Sequence, residues 1–73
     1  MDVLDLHGIK HADVQKVLDS FLFENMKHNK KKVEIITGLS EQMKIIVKNV
    51  LEDYSFDFEQ DFINPGKIIV HLV

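Results

Sequence analysis

Two stretches of helical periodicity alternate along this chain with short strand-like runs, and few architectures accommodate that order. Val14, Val17, Leu18, Phe21 and Leu22 recur at the three- and four-residue spacing of one helical face, as do Met43, Ile46, Val47, Val50, Leu51 and Tyr54. Val33, Ile35 and Ile36 carry the β-branched signature of a strand between them. The spacing predicts a first strand over residues 2–7, a helix from Lys10 or His11 to about Asn29, and a strand from Lys32 to Thr37. A second helix capped by Ser40 runs through Tyr54, an alternating segment spans Ser55 to Phe62, and a last strand runs from Lys67 to Val73. Asn64-Pro65-Gly66 supplies the turn between the last two.

The last run is nearly continuous in apolar residues and therefore reads as central, whereas Phe56 to Asp61 alternates and reads as an edge. Crossover connections are right-handed, so two in one direction place both helices on one side of the sheet. The expected fold is an α/β (α+β) two-layer sandwich of pattern β-α-β-α-β-β. Its mixed four-stranded sheet has the order 1-2-4-3, with the fourth strand antiparallel to the rest. Phe21, Phe56 and Phe58 are expected in the core, with the alternative that one on the open face stacks a base, and that sheet face is left open to a partner.

All 73 residues form one domain near the lower size limit for a single core, and with no cysteine its stability must come from packing. No run approaches the roughly 20 apolar residues of a membrane span, and the start lacks the order of a signal peptide, so a soluble cytoplasmic protein is expected. The formal net charge of -3 argues against a nonspecific polyanion binder. The charge is unevenly spread, with Lys27, Lys30, Lys31 and Lys32 in one cluster and Glu52, Asp53, Asp57, Glu59 and Asp61 in another. There is no arginine, so phosphate contacts fall to lysine, histidine or backbone amides.

Val3 to Gly8 reads Val-Leu-Asp-Leu-His-Gly. Strand alternation sets Leu4 and Leu6 on one face and Asp5 and His7 on the other, and Gly8 allows a sharp turn. If the first two strands are parallel neighbours, Asp5, His7 and Gly8 meet Thr37, Gly38 and Ser40 at one sheet edge. Both helices begin there, with their unpaired amides and positive dipole ends. An imidazole can take a proton from a nucleophile or give one to a leaving oxygen near pH 7, as phosphodiester cleavage needs, and a carboxylate can orient it. Lys10, His11, Lys44 and Lys48 lie nearest as phosphate partners. Lys30 to Lys32 belongs to the opposite end of the sheet, and His71 takes no chemistry because an antiparallel last strand ends at the wrong edge. No residue spacing matches a known metal-ligand set.

These residues resemble the Smr domain, or small MutS-related domain. Leu4-Asp5-Leu6-His7-Gly8 is similar to its Leu-Asp-Leu-His-Gly signature, and Ile35-Ile36-Thr37-Gly38 resembles its second block, an apolar strand running into Thr-Gly-x-Gly or His-Gly-x-Gly. Ser40 stands where the family has the second glycine, Leu39 where it often has lysine, and Lys10 where it usually has threonine or serine. The resemblance implies a fold similar to the C-terminal domain of a bacterial translation initiation factor, and an association with DNA nicking or RNA cleavage. It makes Asp5 and His7 the candidate catalytic pair and Thr37 with Gly38 the candidate substrate loop.

The leading expectation is therefore an endonuclease-type domain that binds DNA or RNA at this edge. His7 would act as acid or base, and Asp5 would orient it or recruit a cation such as magnesium or manganese. Gly8, Lys10, His11, Thr37, Gly38, Ser40 and Lys44 would bind the nucleic acid. The alternative is a noncatalytic nucleic-acid-binding or protein-interaction module, which Ser40, the missing arginine and the acidic total charge favour.

Overall fold

The structure, a computed structural model, describes residues 2–73. Its elements are β1 (Asp2–Asp5), α1 (His11–Lys27), β2 (Lys32–Ile36), α2 (Glu41–Asp53), β3 (Asp57–Gln60) and β4 (Lys67–His71). The sheet order is β1-β2-β4-β3, with β1 parallel to β2 and β4 antiparallel to both β2 and β3. This is the architecture expected from the periodicities.

One sheet face packs on the helices. Val33 and Ile35 of β2, Ile68 and Val70 of β4, and Leu6 just beyond β1 are wholly buried together with Val14, Leu18, Leu22, Val47 and Leu51. Phe21, Phe56 and Phe58 pack against this core, partly buried. The helical stripe of α1 continues into Asn25, which is buried and donates Nδ2 to the Phe21 carbonyl at 2.8 Å. The opposite sheet face carries Ile36, Ile69 and an ion pair of Lys67 with Glu34 at 3.3 Å, all half-buried.

Several elements are shorter than the alternation predicts, for local reasons. The strand expected over residues 2–7 stops at Asp5, whose carboxylate accepts the amide of His7 at 2.9 Å and starts a turn. Leu6 still donates to the Ile36 carbonyl at 2.9 Å, so the ladder outlasts the strand by one bond. The second strand ends at Ile36 rather than Thr37, because the Thr37 amide turns to the Gly66 carbonyl at 2.8 Å. The last ends at His71 rather than Val73. Helix α1 ends before Asn29, which is left-handed at φ 59° while Lys30 donates to the Asn25 carbonyl at 2.9 Å. This 6→1 bond around a left-handed residue is a Schellman closure.

Helix α2 closes the same way around Ser55 at φ 62°, with Phe56 donating to the Leu51 carbonyl at 3.2 Å. Serine is strained in this conformation and glycine is not, so Ser55→Gly is expected to stabilise the domain by about 0.5–1 kcal/mol. A urea titration checks this through a raised midpoint at unchanged slope. Beyond the closure, Tyr54 stacks on Phe56 with ring centroids 5.3 Å apart, and its hydroxyl donates to Asp19 of α1 at 2.8 Å. That bond, with burial and the Asp19 charge, holds the phenol above its ordinary pKa.

Candidate nucleic-acid interface

Parallel pairing of Asp5 with Ile36, and antiparallel pairing of Ile36 with Lys67, brings three connections to one sheet edge. They are the turn after β1, the turn between β2 and α2, and the loop between β3 and β4. Both helices start at this edge.

In the first turn, Asp5 and His7 are both exposed, and the carboxylate of Asp5 is joined to the backbone of His7 through Oδ1. Leu4 and Leu6 pack toward the core while Asp5 and His7 stay exposed, the pattern that alternation predicts, although His7 lies beyond the strand. Gly8 is left-handed at φ 81°, and a Cβ there would meet nothing within 4 Å, so glycine serves the turn geometry and not a close approach. The Ile9 amide then returns to the Leu6 carbonyl at 3.0 Å.

Lys10 is the N-cap of α1 and makes no side-chain cap bond. The helix start is therefore electropositive without a side-chain acceptor at its cap, and Asp13 in the first turn offsets part of that charge. Lys10 and His11 are exposed, and a shallow groove beside them is lined by Gly8, Ile9, Lys10, Asp13, Lys16 and Ser20.

The second turn is more firmly built. The Gly66 carbonyl accepts the amides of Thr37 at 2.8 Å and Gly38 at 3.1 Å, and lies 3.2 Å from the Thr37 hydroxyl. That hydroxyl also lies 2.9 Å from the Gly38 carbonyl. Thr37 is only 6% exposed, so its side chain and amide brace the loop rather than face solvent. The sequence gives no local sign of this bond, because Gly66 lies 29 residues away. Gly38 is left-handed at φ 68°.

Ser40 is the N-cap expected for α2, accepting the Met43 amide on Oγ at 3.2 Å. The hydroxyl proton of Ser40 remains free to donate outward, and the residue is exposed. Lys44, expected as a phosphate partner, is instead 7% exposed and directed to Glu41 at 3.4 Å. Lys48 is half-buried. Lys32 and His71 pair at the far end of the sheet, which separates both from this edge.

The third connection is held by its own side chains. Asp61 Oδ1 accepts the amides of Ile63 at 2.8 Å and Asn64 at 3.0 Å, and Asn64 Oδ1 accepts that of Gly66 at 3.1 Å. The amides of Asn64 and Ile63 hold the Asp61 carboxyl below the usual carboxylate range. A lowered folded-state pKa contributes stability that is present above the unfolded value and lost as the pH falls through the folded one. The loop tether is thus expected to persist through the ordinary carboxylate range and to loosen only at lower pH. The amide shifts of Ile63 and Asn64, followed by NMR during acidification, are expected to move together with that titration.

The alternation that suggested a strand through Phe62 ends at Gln60, and Phe62 is fully exposed. Among the described residues no three histidine, aspartate or glutamate side chains gather as a metal site, and no helix is long and apolar enough to cross a membrane.

A family model described as the Smr domain matches residues 4–61. The crystal structure of the Smr domain of Thermus thermophilus MutS2 is similar to this fold, with a TM-score of 0.89 at 16% sequence identity over 97% of this chain and 96% of that one. No curated protein matches the chain.

Proposed function

The chain belongs to the Smr domain family, a nucleic-acid-binding, nuclease-type family, and from that premise we propose that it binds a phosphodiester strand at the edge formed by His7 to His11 and Leu39 to Gln42 and cleaves it there. The observation that carries this reading is the convergence of an exposed histidine with two helix starts at the carboxyl end of two parallel strands. Helix N-termini attract phosphate through their free amides and dipoles. Lys10 and His11 add side-chain donors, and the Ser40 hydroxyl adds a neutral one.

His7 acts as general acid or base, taking a proton from the attacking oxygen or giving one to the leaving oxygen. Asp5 has two roles open to it. Its Oδ1 fixes the His7 backbone, and the rest of the carboxylate is the group that would hold a magnesium or manganese ion. Such ions bind readily through one or two carboxylates plus phosphate oxygens. Bound there, the ion would offset charge on the phosphate. Thr37, Gly38 and Gly66 take a supporting part and keep the second turn in place.

A second reading, noncatalytic binding, is favoured by one observation: the Asp5 carboxylate engages the amide of His7 and not its imidazole. The two readings separate when short single- and double-stranded DNA and RNA are incubated with the domain in magnesium or manganese. Endonuclease function predicts defined internal cleavage products, whereas binding without products in every condition selects the second reading.

Ser40 offers a finer check. Glycine there keeps most of the cap, losing only a few tenths of a kcal/mol. It does remove a hydroxyl donor to phosphate, and hydrogen bonds to charged groups are strong enough that Ser40→Gly is expected to weaken binding by roughly tenfold or more. Ser40→Thr, which retains both cap and hydroxyl, is expected to bind as the parent does.

A further inference from the structure

Phe62 and Ile63 project from the loop between β3 and β4 with 100% and 91% of their surface in solvent. Among the described large apolar residues only Val73 is as exposed. The loop beneath them is ordered by design of its side chains. Asp61 and Asn64 accept three of its amides, and Gln60 Nε2 donates to the Pro65 carbonyl at 2.6 Å. Its base at Gly66 lies directly against Gly38. An aromatic ring is therefore presented on a preorganised loop, fastened to the turn that holds Ser40.

We infer that Phe62, flanked by Ile63, is a stacking platform for an unpaired nucleobase of the strand bound at this edge. The inference rests on the nucleic-acid reading and extends it to the substrate class: single-stranded or looped rather than fully paired. Charge favours a base as the occupant. Asp57 and Glu59 are exposed along β3, so a phosphate backbone cannot follow that strand without repulsion. A neutral base can approach where its backbone cannot. The geometry is compatible, because Phe62 follows β3, which lies three strand spacings from β1, roughly 14 Å, a distance that two to three nucleotides bridge. Every base has a π face, so such a platform is tolerant of sequence. Paired bases are already stacked and must first be prised apart, which favours unpaired substrates.

The test is fluorescence anisotropy with labelled single-stranded RNA and DNA and with the matching duplexes, at several salt concentrations. Phe62→Ala is expected to weaken single-strand binding by roughly 5- to 150-fold, the range of base–aromatic stacking, without changing the salt slope or duplex binding. Phe62→Trp retains affinity and Phe62→Leu does not. Lys10→Gln, by contrast, is expected to lower the single-strand salt slope by about 0.7. Full exposure of Phe62 means that these variants keep the fold, which circular dichroism verifies.

Parent-like binding by Phe62→Ala, with Lys10→Gln weakened, overturns the platform and leaves the nucleic-acid reading standing. Parent-like binding by Phe62→Leu overturns stacking as its basis. A parent domain that binds no nucleic acid overturns both readings, and self-association abolished by Phe62→Ala would then identify the tip as a protein contact.

Discussion

Replacing His7 with alanine is expected to lower the cleavage rate by roughly 10²- to 10⁴-fold, the range over which a positioned acid–base group acts. Binding should change far less. The side chain is exposed and only the backbone amide of His7 takes part in the turn, so alanine preserves the bond to Asp5. Loss of rate therefore reports chemistry and not unfolding. Asp5 is the necessary companion experiment. Asp5→Asn keeps an oxygen acceptor for the His7 amide and removes the charge, whereas Asp5→Ala removes both. If Asp5 only shapes the turn, the asparagine variant stays near the parent rate and the alanine variant falls. If the carboxylate holds a cation or offsets developing charge, both fall. A His7→Ala variant that cleaves at the parent rate is incompatible with the proposed acid–base role.

Gly66→Ala is expected to destabilise the domain by about 1–3 kcal/mol, as overpacking does in a closed site. A Cβ at Gly66 would stand 3.0 Å from both the carbonyl carbon and oxygen of Gly38, and 3.1 Å from its Cα. These are backbone atoms and cannot swing aside as a side chain can. The same carbonyl of Gly66 receives the Thr37 and Gly38 amides, so any retreat misaligns bonds that position the second turn. Binding should fall with stability for that reason. Thr37→Val provides the contrast. It removes only the hydroxyl and leaves both amide donors on Gly66, costing about 0.5–1.5 kcal/mol. Urea denaturation orders the two, and a Gly66→Ala variant as stable as the parent would show that the two turns are not packed as described.

The strand order was legible because burial leaves a periodic trace. The near-continuous apolar run of β4 marks it as central, and Val33 and Ile35 mark the helix-facing side of β2. The convergence of the first and second turns follows from that order. What the local sequence does not carry is the use made of each polar group. Thr37 reads as a substrate-loop residue by its neighbours, yet its partner Gly66 comes from another connection. Lys44 reads as a surface lysine, but its position on α2 lies on the buried side beside Met43 and Val47. Phe62 continues an alternation whose strand has already ended, since Asp61 diverts the chain by capturing the amides of Ile63 and Asn64. Asp5 and His7 are adjacent in the way the signature suggests, through backbone rather than through paired side chains.

A proton–nitrogen NMR titration of the labelled domain with short single-stranded RNA and DNA at low salt measures directly where a nucleic-acid strand lies. Shifts concentrated at His7 to His11 and Leu39 to Gln42 are predicted. Shifts centred instead on Lys30 to Lys32 and the end of β4, or no shifts with either nucleic acid, would contradict binding at this edge.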